Sequence, residues 1–131
     1  MIGLDTNILV RYLTQDDPDQ ARKAALEIEK GLAEGQQFFI ADLVMCELVW
    51  VLETAYGYDR REIVPALENI LRTRQFQFEN KDLLWKCLAD YRNKKGDFAD
   101  HLIGNVGHKV GCRETLTFDS GSKNNPLFRV L

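Results

Sequence analysis

The chain has 131 residues, of which 45% are hydrophobic and 28% charged, as expected for one globular domain with a substantial core. A net charge of −3 argues against a general nucleic-acid coating protein, which is usually basic, but is compatible with an enzyme that binds RNA through a local basic patch. No apolar stretch is long enough to span a membrane, and the N-terminus lacks a secretory pattern. We therefore expect one cytoplasmic domain over residues 1–131, without membrane association.

Short apolar runs alternate with helical periodicity along the first 80 residues. Asp17 and Pro18 provide an N-cap and a proline at the first helical position, which predicts a helix start there. The predicted elements begin with a strand at 1–4 and a helix after Asp5. They continue with a helix from Pro18 to Gly35, whose apolar stripe is Ala21, Ala25, Ile28 and Leu32, and with a strand at 37–40. This part ends with a helix from a cap at Asp42 to about Tyr56 and Gly57, a helix capped by Asp59 with Ile63, Leu67 and Ile70 as its stripe, and a strand near 75–78.

The remaining 50 residues continue the alternation. We predict a helix capped by Asn80 that carries Leu84, Leu88 and Tyr91, a helix from Asp97 lined by Leu102, Ile103, Val106 and Val110, a strand at 115–118, a turn-rich segment, and a last edge strand at 128–131. Strands that alternate with helices predict an α/β fold, here a three-layer sandwich of a parallel sheet with helices on both faces.

Three cysteines, Cys46, Cys87 and Cys112, are widely spaced and form no CxxC pair. No histidine accompanies them at zinc-finger spacing. We expect reduced thiols that are buried on helix faces.

Two aspartates follow predicted strands. Asp5 comes directly after the first apolar run, and Asp119 follows the strand at 115–118. Open parallel sheets place ligand-binding residues at the carboxyl ends of their strands. Either aspartate alone is compatible with a turn or a cap, but the two together indicate a site.

Glu47 lies in the almost wholly apolar stretch 40–52. Its neighbours at helical spacing are Leu43, Val44, Trp50 and Val51, so its carboxylate is expected on or beside a buried face. A buried carboxylate requires compensation. A salt bridge to Arg11 or another basic residue is one explanation, and a bound cation is the one we favour.

Asp97 and Asp100 stand three residues apart at a predicted helix start, where the helix dipole and free N–H groups favour carboxylates. Asp97 as N-cap with Asp100 at the third helical position is close to a capping box. One aspartate can cap while the other points into a site. Carboxylates gathered in one pocket repel each other unless a divalent cation neutralises them, and all-oxygen ligands favour Mg²⁺ or Mn²⁺ over zinc.

Four segments together resemble the PIN-domain nucleases. They are Asp5-Thr6-Asn7 after a strand, Glu47 in an apolar helix, 98–103 opening a helix with Asp100, and Thr117-Phe118-Asp119 after a strand. The size and compactness are most similar to the VapC-type toxins of bacterial toxin–antitoxin pairs, and the resemblance covers nearly the whole chain.

The resemblance implies a Mg²⁺- or Mn²⁺-dependent endoribonuclease, usually a homodimer, that a small cognate antitoxin inhibits. It implies Asp5, Glu47, Asp100 and Asp119 as the acidic quartet that holds the metal. Accessory roles are implied for Thr6, Asn7, Asp97 and Thr117. The sequence departs from the family after Asp100, because His101, Gly104 and Gly107 stand where small alanines are commoner.

A set of basic residues near the second half of the quartet is the best candidate for contacts with RNA phosphates, although it is equally compatible with a solvated surface. Its members are Arg92, Lys94, Lys95, Lys109, Arg113 and Lys123. His101 and His108, two helical turns apart, are interpreted as surface or core packing. The aromatics Trp50, Trp85, Tyr56 and Tyr58 are interpreted as core or interface residues.

Three other functions are compatible with parts of the pattern. A receiver-like Mg²⁺-binding signalling module needs a phosphoacceptor aspartate on a middle strand, but the strand near Phe78 ends in Glu79-Asn80, and 115–118 lacks its lysine. A haloacid-dehalogenase-type phosphatase needs a D-x-D opening, which is D-T-N here. Within the nuclease class, an RNA-processing enzyme such as one of rRNA maturation remains an alternative to a toxin.

Overall fold

Three short parallel strands form a sheet in the computed structural model, which describes all of residues 1–131. They are β1 (Ile2–Gly3), β2 (Phe38–Ile40) and β3 (Phe76–Phe78), in the order β1-β2-β3. Ile2 stands opposite Phe38, and Phe38 stands opposite Phe76. The rings of Phe38 and Phe76 meet edge to face with centroids 6.1 Å apart, an arrangement that aromatic pairs prefer. The parallel pairing agrees with the predicted α/β class.

The chain divides into two compact units, residues 1–81 and residues 82–131. The first unit contains the three-stranded sheet and four helices: α1 (Thr6–Leu13), α2 (Pro18–Ala33), α3 (Asp42–Thr54) and α4 (Arg60–Arg72). Helix α1 packs against α2 and α3. The largest fully buried side chains of this unit are Leu9, Ile28, Ile40, Met45, Leu48, Leu52, Ile63, Leu67 and Leu71.

Local capping sets most helix boundaries of the first unit. Asp17 Oδ1 accepts a hydrogen bond from the Gln20 N–H at 3.1 Å, and Pro18 opens α2, as predicted. Asp59 and Glu62 form a capping box at the start of α4. The expected stripe of α2 is partly wrong, because the structure buries Ala24 and Gly31 while Ala25 and Leu32 are half-buried.

Helix α3 begins differently from the prediction. Its N-cap is Ala41, which provides no side-chain hydrogen bond, and Asp42 is the first helical residue. The expected cap at Asp42 is therefore wrong. The carboxylate of Glu79, directly after β3, takes its place: Glu79 Oε1 accepts the Asp42 N–H at 2.9 Å. The helix ends at Thr54, and Gly57 follows with a φ of +66°, which glycine adopts without a steric penalty.

The second unit contains two helices and a two-stranded parallel sheet. Helix α5 (Lys81–Asn93) begins at the boundary of the units, and α6 (Phe98–Lys109), β4 (Thr115–Thr117), a short 3₁₀ helix (Ser120–Ser122) and β5 (Phe128–Val130) follow. Thr115 stands opposite Phe128. The core of this unit consists of Leu84, Cys87, Leu88, Tyr91, Phe98 and Leu102, and three of these, Leu84, Leu88 and Tyr91, were expected on the stripe of α5.

The predicted apolar face of α6 is mostly wrong. Ile103, Val106 and Val110 are 55%, 39% and 75% exposed. The buried face consists instead of Phe98, His101, Leu102, Gly104 and Asn105. Asn105 Nδ2 donates to the buried carboxylate of Asp90 at 2.9 Å, so a polar pair rather than a purely apolar stripe fills this part of the core.

Glycines explain how α6 approaches the two strands of its unit. A Cβ atom at Gly104 would lie 2.7 Å from the Phe128 ring, and one at Gly107 would lie 3.1 Å from Thr115 Oγ1. An alanine at either position would displace a neighbour. These close contacts account for glycine where the resemblance led us to expect small alanines.

All three cysteines are free thiols, as predicted, but only Cys87 is buried. Cys46 is half-buried on α3, and burial together with the charges of Asp42 and Glu47 raises the pKa of its thiol to about 11. Cys112 is exposed after the end of α6, so its predicted burial on a helix face is wrong. None of the helices has the length and apolarity that crossing a bilayer requires.

Candidate active site

Asp5 lies at the carboxyl end of β1 and caps α1. Its Oδ1 accepts the Thr6 N–H at 2.7 Å, and its side chain is exposed. No hydrogen bond reaches its second oxygen, Oδ2. One oxygen of this carboxylate therefore holds the helix start while the other can bind a ligand.

Glu47, in the middle of α3, is linked to the same helix start. The hydroxyl of Thr6, which is buried, donates to Glu47 Oε2 at 3.2 Å. Glu47 itself is exposed, as are Leu43 and Trp50 one turn to either side, each 67% exposed. Val44 and Val51 are half-buried, so Glu47 lies beside the buried face of α3 and not on it, and the expected burial of its carboxylate is wrong. Glu47 also forms no salt bridge, and Arg11, its proposed partner, pairs with Asp16 at 3.2 Å instead.

The two carboxylates line one cavity of about 410 Å³ within the first unit. Its lining residues are Asp5, Thr6, Asn7, Val10, Arg11, Glu47, Val51, Ala55 and Tyr56. We call it the acid cavity. From the sequence, Arg11 is expected only as a salt-bridge partner of Glu47 and Tyr56 only as a core or interface residue, although Arg11 lies one helical turn after Asn7 and therefore shares its face of α1.

The other members of the predicted quartet lie in the second unit. Asp97 is the N-cap of α6, and its N–H donates to Asp100 Oδ2 at 3.2 Å, as in the predicted capping box. Asp119 follows β4 and caps the 3₁₀ helix: its Oδ1 accepts the Gly121 N–H at 2.9 Å. Thr117 Oγ1 accepts the Asp119 N–H at 3.0 Å and so orients this aspartate.

The structure contains no group of three or more histidine, cysteine, aspartate or glutamate side chains placed to hold a metal ion. It brings Asp5 and Glu47 into one cavity, and the four-carboxylate site stays a prediction. Two carboxylates, a threonine hydroxyl and an asparagine amide are hard oxygen donors. This donor set fits Mg²⁺ or Mn²⁺, since Mg²⁺ usually takes one or two carboxylates and keeps several waters.

A second pair of acids lies where β2 and β3 end. Asp42 Oδ1 is buried without a hydrogen-bond partner. Burial, together with the nearby charge of Glu79, raises the pKa of the Asp42 carboxyl. From the sequence, Asp42 is expected only as a cap and Glu79 only as the residue after the strand near Phe78. The signal that was available is position, because both residues follow strands of the sheet that Asp5 also follows.

The basic residues predicted to contact RNA are all exposed: Arg92, Lys94, Lys95, Lys109, Arg113 and Lys123. Lys94 pairs with Asp90 at 3.3 Å and Arg113 lies 3.8 Å from Glu114, and their contact with RNA stays a prediction.

The histidines and aromatics divide by burial. His101 is buried, which agrees with core packing, while His108 is exposed. The exposure of Trp50 shows that it is not a core residue. Tyr56 and Tyr58 are half-buried, with ring centroids 5.9 Å apart.

Comparison with known proteins identifies the family. The model of the PIN domain family matches residues 2–125, which is nearly the whole chain. The chain therefore belongs to the PIN domain family. It is similar to the "VapC ribonuclease" of Aquifex aeolicus (strain VF5), with 28% identity over 115 residues that cover 88% of this chain and 84% of the relative.

Proposed function

We propose that this PIN-domain chain is a divalent-metal-dependent endoribonuclease of the VapC type and acts as the toxin of a toxin–antitoxin pair. The observation that carries the proposal is the acid cavity, which Asp5 and Glu47 both line, with Asp5 accepting the Thr6 N–H and Glu47 accepting the Thr6 hydroxyl. The name of the Aquifex relative supports RNA as the substrate. Membership of the PIN family supports a hydrolytic nuclease rather than a receiver module or a phosphatase.

Asp5 and Glu47 are the proposed metal ligands of the first unit, and Asp100 and Asp119 are proposed to complete the site. Thr6 holds Glu47 in place by donating its hydroxyl to the carboxylate, and the Thr117 hydroxyl oxygen orients Asp119 by accepting the backbone N–H of Asp119. A divalent cation bound to such ligands supplies a water of lowered pKa and positive charge for the scissile phosphate. Asn7 lines the same cavity and is suited to orient the substrate or a metal-bound water.

The proposed partners are an RNA substrate, a small antitoxin and a second copy of the chain, all in the cytoplasm. Leu43 and Trp50, one turn on either side of Glu47, are each 67% exposed. Large apolar side chains that share one exposed helix face are typical of protein–protein contact surfaces. We therefore propose that this face binds the second copy of the chain.

The test is cleavage of a structured RNA by purified protein freed of any antitoxin. We expect cutting with Mg²⁺ or Mn²⁺, loss of cutting in EDTA, and recovery when Mg²⁺ is added back in excess. The recovery controls for irreversible unfolding in the chelator. Cleavage that EDTA leaves undiminished would contradict the proposed chemistry. Expression that arrests growth, relieved by co-expression of an antitoxin, would support the toxin role, whereas cleavage without growth arrest would favour an RNA-processing nuclease.

A further inference from the structure

Arg11 lines the acid cavity together with Asp5 and Glu47. A guanidinium near carboxylates normally pairs with one of them. Here Arg11 Nη1 pairs with Asp16 Oδ1 at 3.2 Å, and no salt bridge joins Arg11 to Asp5 or Glu47. In the acid cavity, two carboxylates therefore stay available for a cation, while the positive charge of Arg11 is paired with Asp16.

Two further hydrogen bonds fix the guanidinium, and a third links its partners Tyr56 and Asp16. Arg11 Nε donates to Gln20 Oε1 at 2.8 Å and Nη1 donates to the Tyr56 hydroxyl at 3.1 Å. The Tyr56 hydroxyl in turn donates to Asp16 Oδ2 at 2.8 Å. That hydrogen bond, with a smaller contribution from the charge of Arg11, lowers the pKa of the Asp16 carboxyl. Asp16 therefore stays ionised at neutral pH and remains paired with Arg11.

The hydrogen bonds of Arg11 engage Nε and Nη1, and none engages Nη2. Its side chain is 28% exposed. Two N–H donors of a rigid, permanently charged group thus remain available to an anion. Arginine with its fork held in place is well suited to bind a phosphate, because less side-chain freedom is lost on binding.

Arg11 and Asn7 also line a second, larger cleft of about 520 Å³ in the same unit. This cleft contains the further cations Lys23 and Lys30, together with the acids Glu27 and Glu34. Its apolar lining includes Ile8, Ile28 and Phe38. A cleft that offers cations for phosphates and apolar surface for bases suits a single-stranded nucleic acid.

We propose that Arg11 binds the RNA phosphate adjacent to the scissile one, and that the strand continues from the acid cavity past Arg11 and Asn7 into the larger cleft. The proposal rests on the proposed ribonuclease function and adds the path of the substrate. Asp16, Tyr56 and Gln20 are then positioning residues, because they hold Arg11 away from the metal-binding carboxylates. This path lies in the first unit, whereas the basic residues predicted from the sequence lie in the second.

The test measures binding and cleavage separately. Binding of a fluorescein-labelled single-stranded RNA oligonucleotide is titrated in EDTA at several salt concentrations, and kcat and KM are measured with Mg²⁺. Arg11→Met should weaken binding about tenfold and raise KM more than it lowers kcat, because a phosphate contact is lost. The slope of log affinity against log salt should flatten by about 0.7, the value for one phosphate contact on a single strand.

Arg22→Met is the matched control, since Arg22 is exposed on α2, pairs only with Asp19, and carries the same charge. It should bind RNA as the wild type does. Tyr56→Phe keeps the charge of Arg11 but removes the three hydrogen bonds of the hydroxyl, to Arg11, Asp16 and Thr14, so it should weaken binding by a smaller factor. If Arg11→Met does not fold, Tyr56→Phe and Arg11→Lys carry the test, and Arg11→Lys should retain the salt slope but bind more weakly.

Wild-type affinity and salt slope in a folded Arg11→Met variant would overturn the inference, as would equal losses in Arg11→Met and Arg22→Met. If Arg11→Met does not fold, wild-type affinity in both Tyr56→Phe and Arg11→Lys would do the same. Asp5→Asn separates the two proposals, because it should bind the oligonucleotide in EDTA but not cleave RNA. Cleavage by Asp5→Asn would contradict the ribonuclease site, whatever Arg11 does.

Discussion

Three acids of the proposed site, Asp5, Asp100 and Asp119, each also accept a backbone N–H at a helix start. Asp5 accepts the Thr6 N–H at the start of α1, and Asp119 accepts the Gly121 N–H. A carboxylate that is held by a backbone N–H keeps a fixed orientation. The same hydrogen bond thus contributes to the fold and fixes the orientation of a proposed metal ligand.

Asp97 and Asp100 share one helix start but are expected to differ in function. Asparagine is about as good an N-cap as aspartate, so Asp97→Asn should keep α6 and lose less than about tenfold in cleavage rate. Asp100→Asn can still accept the Asp97 N–H through its amide oxygen but loses a proposed metal ligand. The cleavage rate of Asp100→Asn should fall by more than about a hundredfold, which exceeds the usual effect of a residue that only supports a metal ligand.

Cleavage rate and Mg²⁺ affinity by calorimetry, measured beside the melting temperature of both variants, distinguish the two aspartates. An Asp97→Asn variant without cleavage activity, together with an Asp100→Asn variant of nearly wild-type activity, would show that Asp97 and not Asp100 is the metal ligand.

Residue types and their place along the chain were enough to predict the strand-terminal position of Asp5 and the capping box at Asp97. They did not predict the exposure of Glu47, because an apolar stretch does not show which face of a helix the rest of the fold covers. The proposed phosphate contact of Arg11 could not be predicted from the sequence for a related reason. Its hydrogen-bond partner Tyr56 lies 45 residues further along the chain, and only the folded structure brings the two together.

Helix boundaries were predictable where the cap is local. Asp17 and Asp59 cap α2 and α4 through residues three positions away. The start of α3 was mispredicted because its capping carboxylate belongs to Glu79, 37 residues beyond Asp42. The face of α6 was mispredicted because glycine, not a large apolar residue, makes its closest approach to the strands.

The acid at the start of α3 provides a test of this element. Burial and Glu79 raise the pKa of Asp42 above 3.8, so the folded state favours its neutral form. The stability that Asp42 contributes is present in full below its unfolded pKa and is lost as the pH rises through its folded pKa. Asp42→Asn stays neutral, and it should therefore be more stable than the wild type at neutral pH by about a few tenths of a kcal/mol after solvent screening.

Urea unfolding of Asp42→Asn and wild type at neutral and acidic pH checks this. The difference between their free energies of unfolding should shrink as the pH falls to about 4. Asp19→Asn is the control, because Asp19 also lies in the first turn of a helix but is exposed and paired with Arg22. A gain in stability from Asp42→Asn that persists unchanged in acid would show a cause other than the carboxylate charge.

The α/β class and the nuclease family followed from the order of strands and acids along the whole chain, and the PIN domain match over residues 2–125 confirms the family. Organisation as a single domain stays a prediction, and the structure divides the chain into two compact units. The exposed apolar face of α3 could be recognised only from the structure, since the sequence of this helix is apolar on nearly all sides.

Self-association is expected to use that face. Light scattering of the wild type at micromolar concentration should give twice the monomer mass. Trp50→Glu places a charge on the face and should give a monomer, whereas Leu26→Glu changes a leucine that is 61% exposed on α2 and should leave the dimer intact. A monomeric wild type, or a dimer that both substitutions disrupt equally, would contradict this assignment of the interface.

The cleavage rate of Asp5→Asn, set beside that of Asp17→Asn, tests the central claim most directly. Both residues are N-caps of helices in the first unit, and asparagine preserves a cap. If Asp5 is a metal ligand, Asp5→Asn should lose more than about a hundredfold in Mg²⁺-dependent RNA cleavage with its melting temperature little changed, because such a loss exceeds that of supporting residues. Asp17→Asn should cleave at the wild-type rate. Wild-type cleavage by a folded Asp5→Asn variant would show that the acid cavity is not the active site.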